Sequence, residues 1–133
     1  MKKNKILLPV LIVIALFLSS CEGSLNNTFT FRNLSAGKLF INFRASIVEV
    51  PVNKTVAIKD VPKGTYSFST TYEVPPGTGS SSVQGDASGN VTFKQGTKIL
   101  VLFSSTFVDS TYTLYAALTS NEDLSTDENP TGP

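Results

Sequence analysis

Few residues in this chain are equipped for chemistry. Its 133 residues include one cysteine, Cys21, and no histidine or tryptophan. Without histidine the commonest general base is missing, and neither a Ser-His-Asp nor a Cys-His arrangement can be assembled. A zinc or iron site fails on the same ground, since imidazole is absent and only one thiol is present. Ser35 and Lys38 stand three apart, a spacing that lets a lysine activate a serine when the pair opens a helix. Here the stretch includes Gly37 and reads as a turn. Glu49, Asp60, Glu73, Asp86 and Asp109 offer carboxylates for glycoside hydrolysis, yet each falls on a strand exterior or in a turn. Calcium needs only oxygen ligands, but neither Asp86-Ala-Ser-Gly-Asn90 nor the acidic C-terminal segment has the ligand count of a known loop. Gly77-Thr-Gly-Ser-Ser-Ser82 is rich in glycine but lacks the Gly-Lys-Ser/Thr ending that cradles phosphate. The reading is a protein without a catalytic, cofactor or metal site.

The single cysteine is informative through its position. Lys2, Lys3 and Lys5 precede an uncharged apolar run from Ile6 to Leu18, and Ser19 and Ser20 follow. The run is too short for a spanning helix, which needs about 20 residues. A basic start, an apolar middle and small residues before a cut site describe a helical signal peptide over residues 1–20. Leu18-Ser-Ser-Cys21 resembles the lipobox of bacterial lipoproteins. That resemblance implies cleavage before Cys21, lipid on Cys21, and a membrane partner reached through the anchor. Glu22 is not the aspartate that retains such proteins at the inner membrane, which by the same resemblance favours the outer membrane, on its periplasmic face or at the cell surface. Residues 21–27 then form a lipidated tether.

Loss of residues 1–20 also changes the charge. The whole chain carries +1, but three of its 11 basic residues leave with the signal, so the mature chain is acidic overall. Glu122, Asp123, Asp127 and Glu128 lie in a terminal segment, 121–133, with almost nothing to bury; it reads as a disordered acidic tail. The basic residues of the body are scattered in sequence and make no stripe of the kind a nucleic-acid binder carries. With its one thiol acylated, the domain must be held by burial alone.

Between residues 28 and 120 the hydrophobic period is two. Thr28–Arg32 alternates, and Leu39, Ile41, Phe43 and Ala45 share one face of the next strand, which Ile47–Val50 is expected to continue past a bend. Val56 and Ile58 point inward from a third strand. Asp60-Val-Pro-Lys-Gly64 suits a type I turn. Thr65–Val74 puts Tyr66, Phe68, Thr70, Tyr72 and Val74 on one side, which no helix can do. Their regular alternation marks Tyr66, Phe68 and Tyr72 as a core face in preference to a sugar platform. Pro75–Ser82 reads as the longest loop and as a candidate contact segment. Ile99–Phe103, apolar at five successive positions, predicts a strand buried on both faces. Val108–Thr111 turns the chain into Tyr112–Leu118, which alternates again.

Seven or eight short strands with turns between them predict an all-β protein, an antiparallel β-sandwich. Ile58-Lys-Asp-Val-Pro-Lys-Gly-Thr-Tyr-Ser-Phe68 resembles the strand–turn–strand of transthyretin-like and carboxypeptidase-regulatory-like domains, which implies a transthyretin-like or immunoglobulin-like arrangement. The function expected is a lipid-anchored binding or structural module of the cell envelope without catalytic activity, its partner an envelope protein or a glycan. A small periplasmic inhibitor or an accessory subunit of an envelope complex is the second reading. A carbohydrate-active module is the third, and it requires two of the carboxylates to meet in a groove.

Overall fold

Alternating apolar and polar residues build nine strands within residues 26–122, the residues that the computed structural model describes. The expected signal helix (1–20), Cys21, most of the tether and residues 123–133 of the acidic tail lie outside the described residues. The strands are β1 (Thr28–Asn33), β2 (Leu39–Phe43), β3 (Ser46–Val50), β4 (Thr55–Lys59), β5 (Gly64–Tyr72), β6 (Ser80–Gly85), β7 (Gly89–Phe93), β8 (Lys98–Val108) and β9 (Thr111–Ser120). They form two sheets, one ordered β4-β1-β8-β9-β6 and the other β3-β2-β5-β7. The fold is an all-β sandwich, as expected. Most pairings are antiparallel, but β1 runs parallel to β8 and β6 parallel to β9.

Phe29 is the hub of the interior. Its fully buried ring lies 4.4 Å from that of Phe31, 5.0 Å from Phe43, 5.4 Å from Phe68 and 5.6 Å from Phe93, which joins β1 of one sheet to β2, β5 and β7 of the other. Tilted and edge-on pairs of this kind add about 0.5–1.5 kcal/mol each to the stabilisation from burial alone. Leu39, Ile41, Val50, Val101, Phe103 and Leu114 extend the core away from this cluster.

Two buried asparagines bracket β1. At its start, the Asn27 amide donates to the Val61 carbonyl at 2.8 Å and its Oδ1 accepts from the Thr97 amide at 2.8 Å. At its end, Asn33 donates to the carbonyls of Gly37 (2.9 Å) and Val50 (3.0 Å), while its Oδ1 accepts from the backbone and hydroxyl of Ser35. Chain crossing between the sheets leaves backbone groups buried with no ladder partner. These two side chains supply the partners.

Several sequence-based expectations change. Ile47–Val50 does not continue β2. Phe43 pairs with Ser46, so Arg44 and Ala45 form a two-residue hairpin turn, both at positive φ (54° and 61°). Ala45 is therefore an exposed turn residue, not a member of the apolar face. Ile99–Phe103 is buried on one face only. Ile99, Val101 and Phe103 point inward, whereas Leu100 and Leu102 are each 37% exposed, because a sheet in a two-layer sandwich covers one side. Asp60–Gly64 joins strands of different sheets, with Asp60 at positive φ (54°) and Val61 fully buried. Val74 lies past the end of β5 and is exposed. The Pro75–Ser82 loop is shorter than expected, since Ser80–Ser82 belong to edge strand β6, where Ser80 and Ser82 meet Thr111 and Thr113 through their hydroxyls.

Candidate functional site

The residues first considered for catalysis fall at several places in the fold. Ser35 is 2% exposed, and its hydroxyl bonds to Asn33, while the Lys38 ammonium turns outward to Glu49 at 3.2 Å. The two are thus employed separately. Asp86 accepts from the Leu118 amide at 3.3 Å beside the end of β6. Asp109 sits in the β8–β9 turn at positive φ (52°), Asp60 in the β4–β5 crossing, and Glu73 follows β5. Among the described residues no group of three or more His, Cys, Asp or Glu side chains gathers where a metal ion could be held. Phe68 is buried, and Tyr66 and Tyr72 are half-buried against the core, as their alternation predicts. Among the described residues, the buried hydroxyls of Tyr112 and Thr70 find no partner.

What the fold does gather is a polar surface on the outer face of the four-stranded sheet. β2 pairs with residues 68–72 of β5, whereas β7 pairs with residues 64–68. Residues 64–67 of β5 therefore have a strand on one side only. The notch left beside them is a shallow concavity of about 510 Å³, lined by Asn42, Arg44, Thr65, Ser67 and Ser69 among others. An amide, a guanidinium and three hydroxyls converge there. The Thr65 hydroxyl also meets that of Thr92 at 3.0 Å, and Arg44 lies 5.7 Å from the Tyr66 ring centroid, so its guanidinium is positioned by that contact.

Phe40 borders this row, and sequence reasoning overlooked it. It stands on the polar side of β2, half-buried, with Thr71 opposite on β5 and Glu49 opposite on β3. Lys38 lies 6.0 Å from its ring centroid. The signal was present in Leu39-Phe-Ile-Asn-Phe43, where an aromatic residue occupies an outward position of an alternating strand. An aromatic ring beside a row of hydroxyls and amides is the chemistry that recognises polyhydroxylated ligands: apolar C–H faces of a sugar lie on the ring while its hydroxyls exchange hydrogen bonds.

No protein-family model matches the chain, and no curated protein matches it. Its class is set by the fold, a two-sheet β-sandwich, and by this polar outer face.

Proposed function

We propose that the chain is a lipid-anchored, non-catalytic binding module of the bacterial cell envelope, and that its ligand is an envelope glycan. The Leu18-Ser-Ser-Cys21 resemblance supports the anchor. The observation that carries the binding reading is the outer face of the β3-β2-β5-β7 sheet, where Phe40 adjoins the row of Asn42, Ser67, Ser69 and Thr65. The non-catalytic part of the reading rests on the sequence, which has no histidine for a general base. The test has two arms. Cys21→Ala should remove the protein from the membrane fraction or leave its signal uncleaved, and fatty-acid labelling that persists in this variant would refute the anchor. Titration with soluble fragments of the cell's own envelope polysaccharides should give binding that Phe40→Ala weakens about tenfold, roughly the loss of one well-placed contact of 1.4 kcal/mol. Unchanged affinity in Phe40→Ala and Asn42→Ala would refute the site.

A further inference from the structure

Cations scattered through the sequence are brought together in space by the strand register. Thr28, at the start of β1, pairs with Lys59 of β4 and Lys98 of β8. The short crossings from β4 to β5 and from β7 to β8 lie at this same end, and they carry Lys63 and Lys94. The β2–β3 turn holds Arg44, which reaches back to Tyr66 near the start of β5. Five of the eight basic residues of the body thus surround the end of the sandwich from which the chain runs back toward Cys21. All five are exposed. Among the described residues the ion pair found is Lys38–Glu49, at the opposite end. Among the described residues the carboxylates of this end are Asp60 and Glu122, the latter 3.3 Å from the Thr97 hydroxyl, so there cations outnumber anions five to two; Glu22 and the tail acids Asp123, Asp127 and Glu128 lie outside the described residues. Ile47, 71% exposed, stands just beyond Arg44 on β3. It adds an uncovered apolar side chain to the same rim.

We infer that this basic end docks onto an anionic phospholipid surface, so that the domain stands on the bilayer beside its own lipid anchor. The inference rests on the reading of Cys21 as the anchored residue. Four residues lie between Cys21 and Asn26, five Cα-to-Cα steps, which limits their distance to roughly 17 Å even when fully extended. A tether this short holds the rim near the headgroups, where attraction acts over a Debye length of about 8–10 Å. Each cation close to such a surface strengthens association about fivefold. Lys54 bonds through its carbonyl to the Asn33 amide at the far end of β1, roughly 17 Å further out, where the surface potential is screened. One acyl-bearing residue and one basic patch together make a two-signal attachment. In this orientation the polar outer face of the four-stranded sheet stands upright from the membrane, with its Arg44–Thr65 margin at the headgroups and Phe40 further out.

Lysine protection tests the inference. The full chain, matured in a lipoprotein-processing bacterium, is reconstituted on preformed vesicles of phosphatidylcholine alone or with phosphatidylglycerol. It is then treated with a membrane-impermeant acetylating reagent and read by peptide mass spectrometry. On anionic vesicles, Lys59, Lys63, Lys94 and Lys98 should be modified several-fold more slowly than on neutral ones, with Lys38 and Lys54 unchanged, and about 0.5 M salt should remove the difference. The double variant Lys63→Glu with Lys94→Glu, both exposed, should lose the protection of Lys59 and Lys98. Equal labelling on both vesicle types, or protection spread evenly over Lys38 and Lys54, overturns docking. The mass of the N-terminal peptide reports the lipid on Cys21 separately. If the lipid is absent, the anchor reading fails, and salt-sensitive protection of the four lysines on anionic vesicles still decides docking for or against.

Discussion

Asn33 offers the sharpest test of how the sandwich is held together. Its side chain donates twice, to Gly37 and Val50, and accepts twice from Ser35, at a position with no solvent exposure. Asn33→Ala deletes all four bonds. At a net contribution of about 1 kcal/mol each, the loss is about 4 kcal/mol, and the orphaned Val50 carbonyl and Ser35 amide push it upward. For a domain whose total stability is expected near 5–15 kcal/mol, this is a large share. In urea, with a slope of about 2 kcal/mol per molar, the unfolding midpoint should fall by roughly 2 M at unchanged slope. Ser35→Ala, which removes one hydroxyl and leaves the Ser35 amide bonded, should cost about 1 kcal/mol. Asn33→Asp sets a carboxylate oxygen against two carbonyls. Its folded-state pKa is then raised above the unfolded value, so the penalty is smallest below about pH 4 and grows as pH rises. A midpoint shift for Asn33→Ala under about 0.5 M would refute the account, because the network would then be a consequence of packing and not a cause of stability.

The remaining predictions concern single sites in the two sheets. Tyr112→Phe removes a buried hydroxyl that finds no partner among the described residues and should stabilise the domain by about 1 kcal/mol in the same melts; a loss of that size would mean a bond is being made. Phe68→Ala, buried against the Phe29 ring, should cost about 3–5 kcal/mol, whereas Ser69→Ala on the outer face should stay within about 0.5 kcal/mol. Equal losses would invalidate the assignment of faces. Gly85 has φ of +90°, and a Cβ there would collide with the Ala116 carbonyl oxygen, so Gly85→Ala should detach β6 from β9. Amide exchange confined to residues 80–85 would report it, and unchanged protection there would contradict the close approach.

How much of this was legible depended on how local the cause was. Alternation along β5 and β9 needs only neighbouring residues, and Asp109-Ser110 announces its turn through side chains that tolerate positive φ. Arg44-Ala45 makes the same kind of two-residue turn with residues that disfavour it, so the hairpin was invisible and β3 read as part of β2. Leu100 and Leu102 misled for a different reason. An apolar run shows that a strand is present but not how many layers cover it. Sheet membership and the parallel pairs β1–β8 and β6–β9 depend on residues far apart in the chain, and no local pattern encodes them. The candidate face suffered most from this: Phe40, Asn42, Ser67 and Ser69 became neighbours only once β2 was laid beside β5. The basic end likewise became a cluster only through the register.

The pairing of β1 with β8 also sets a clock. The first strand of the domain is completed on one side by a strand whose sequence begins at Lys98, about seventy residues later, and Phe29 cannot be sealed until that strand arrives. Contacts so distant in sequence make folding slow, on the millisecond-to-second scale typical of sandwiches. A chain that emerges from a translocation pore N-terminus first would present β1 long before its partner, and would remain unfolded and threadable until nearly all of it had passed. Under the export proposed above, N-terminus-first synthesis likewise leaves β1 without β8 until late, which keeps the chain threadable before it reaches the pore.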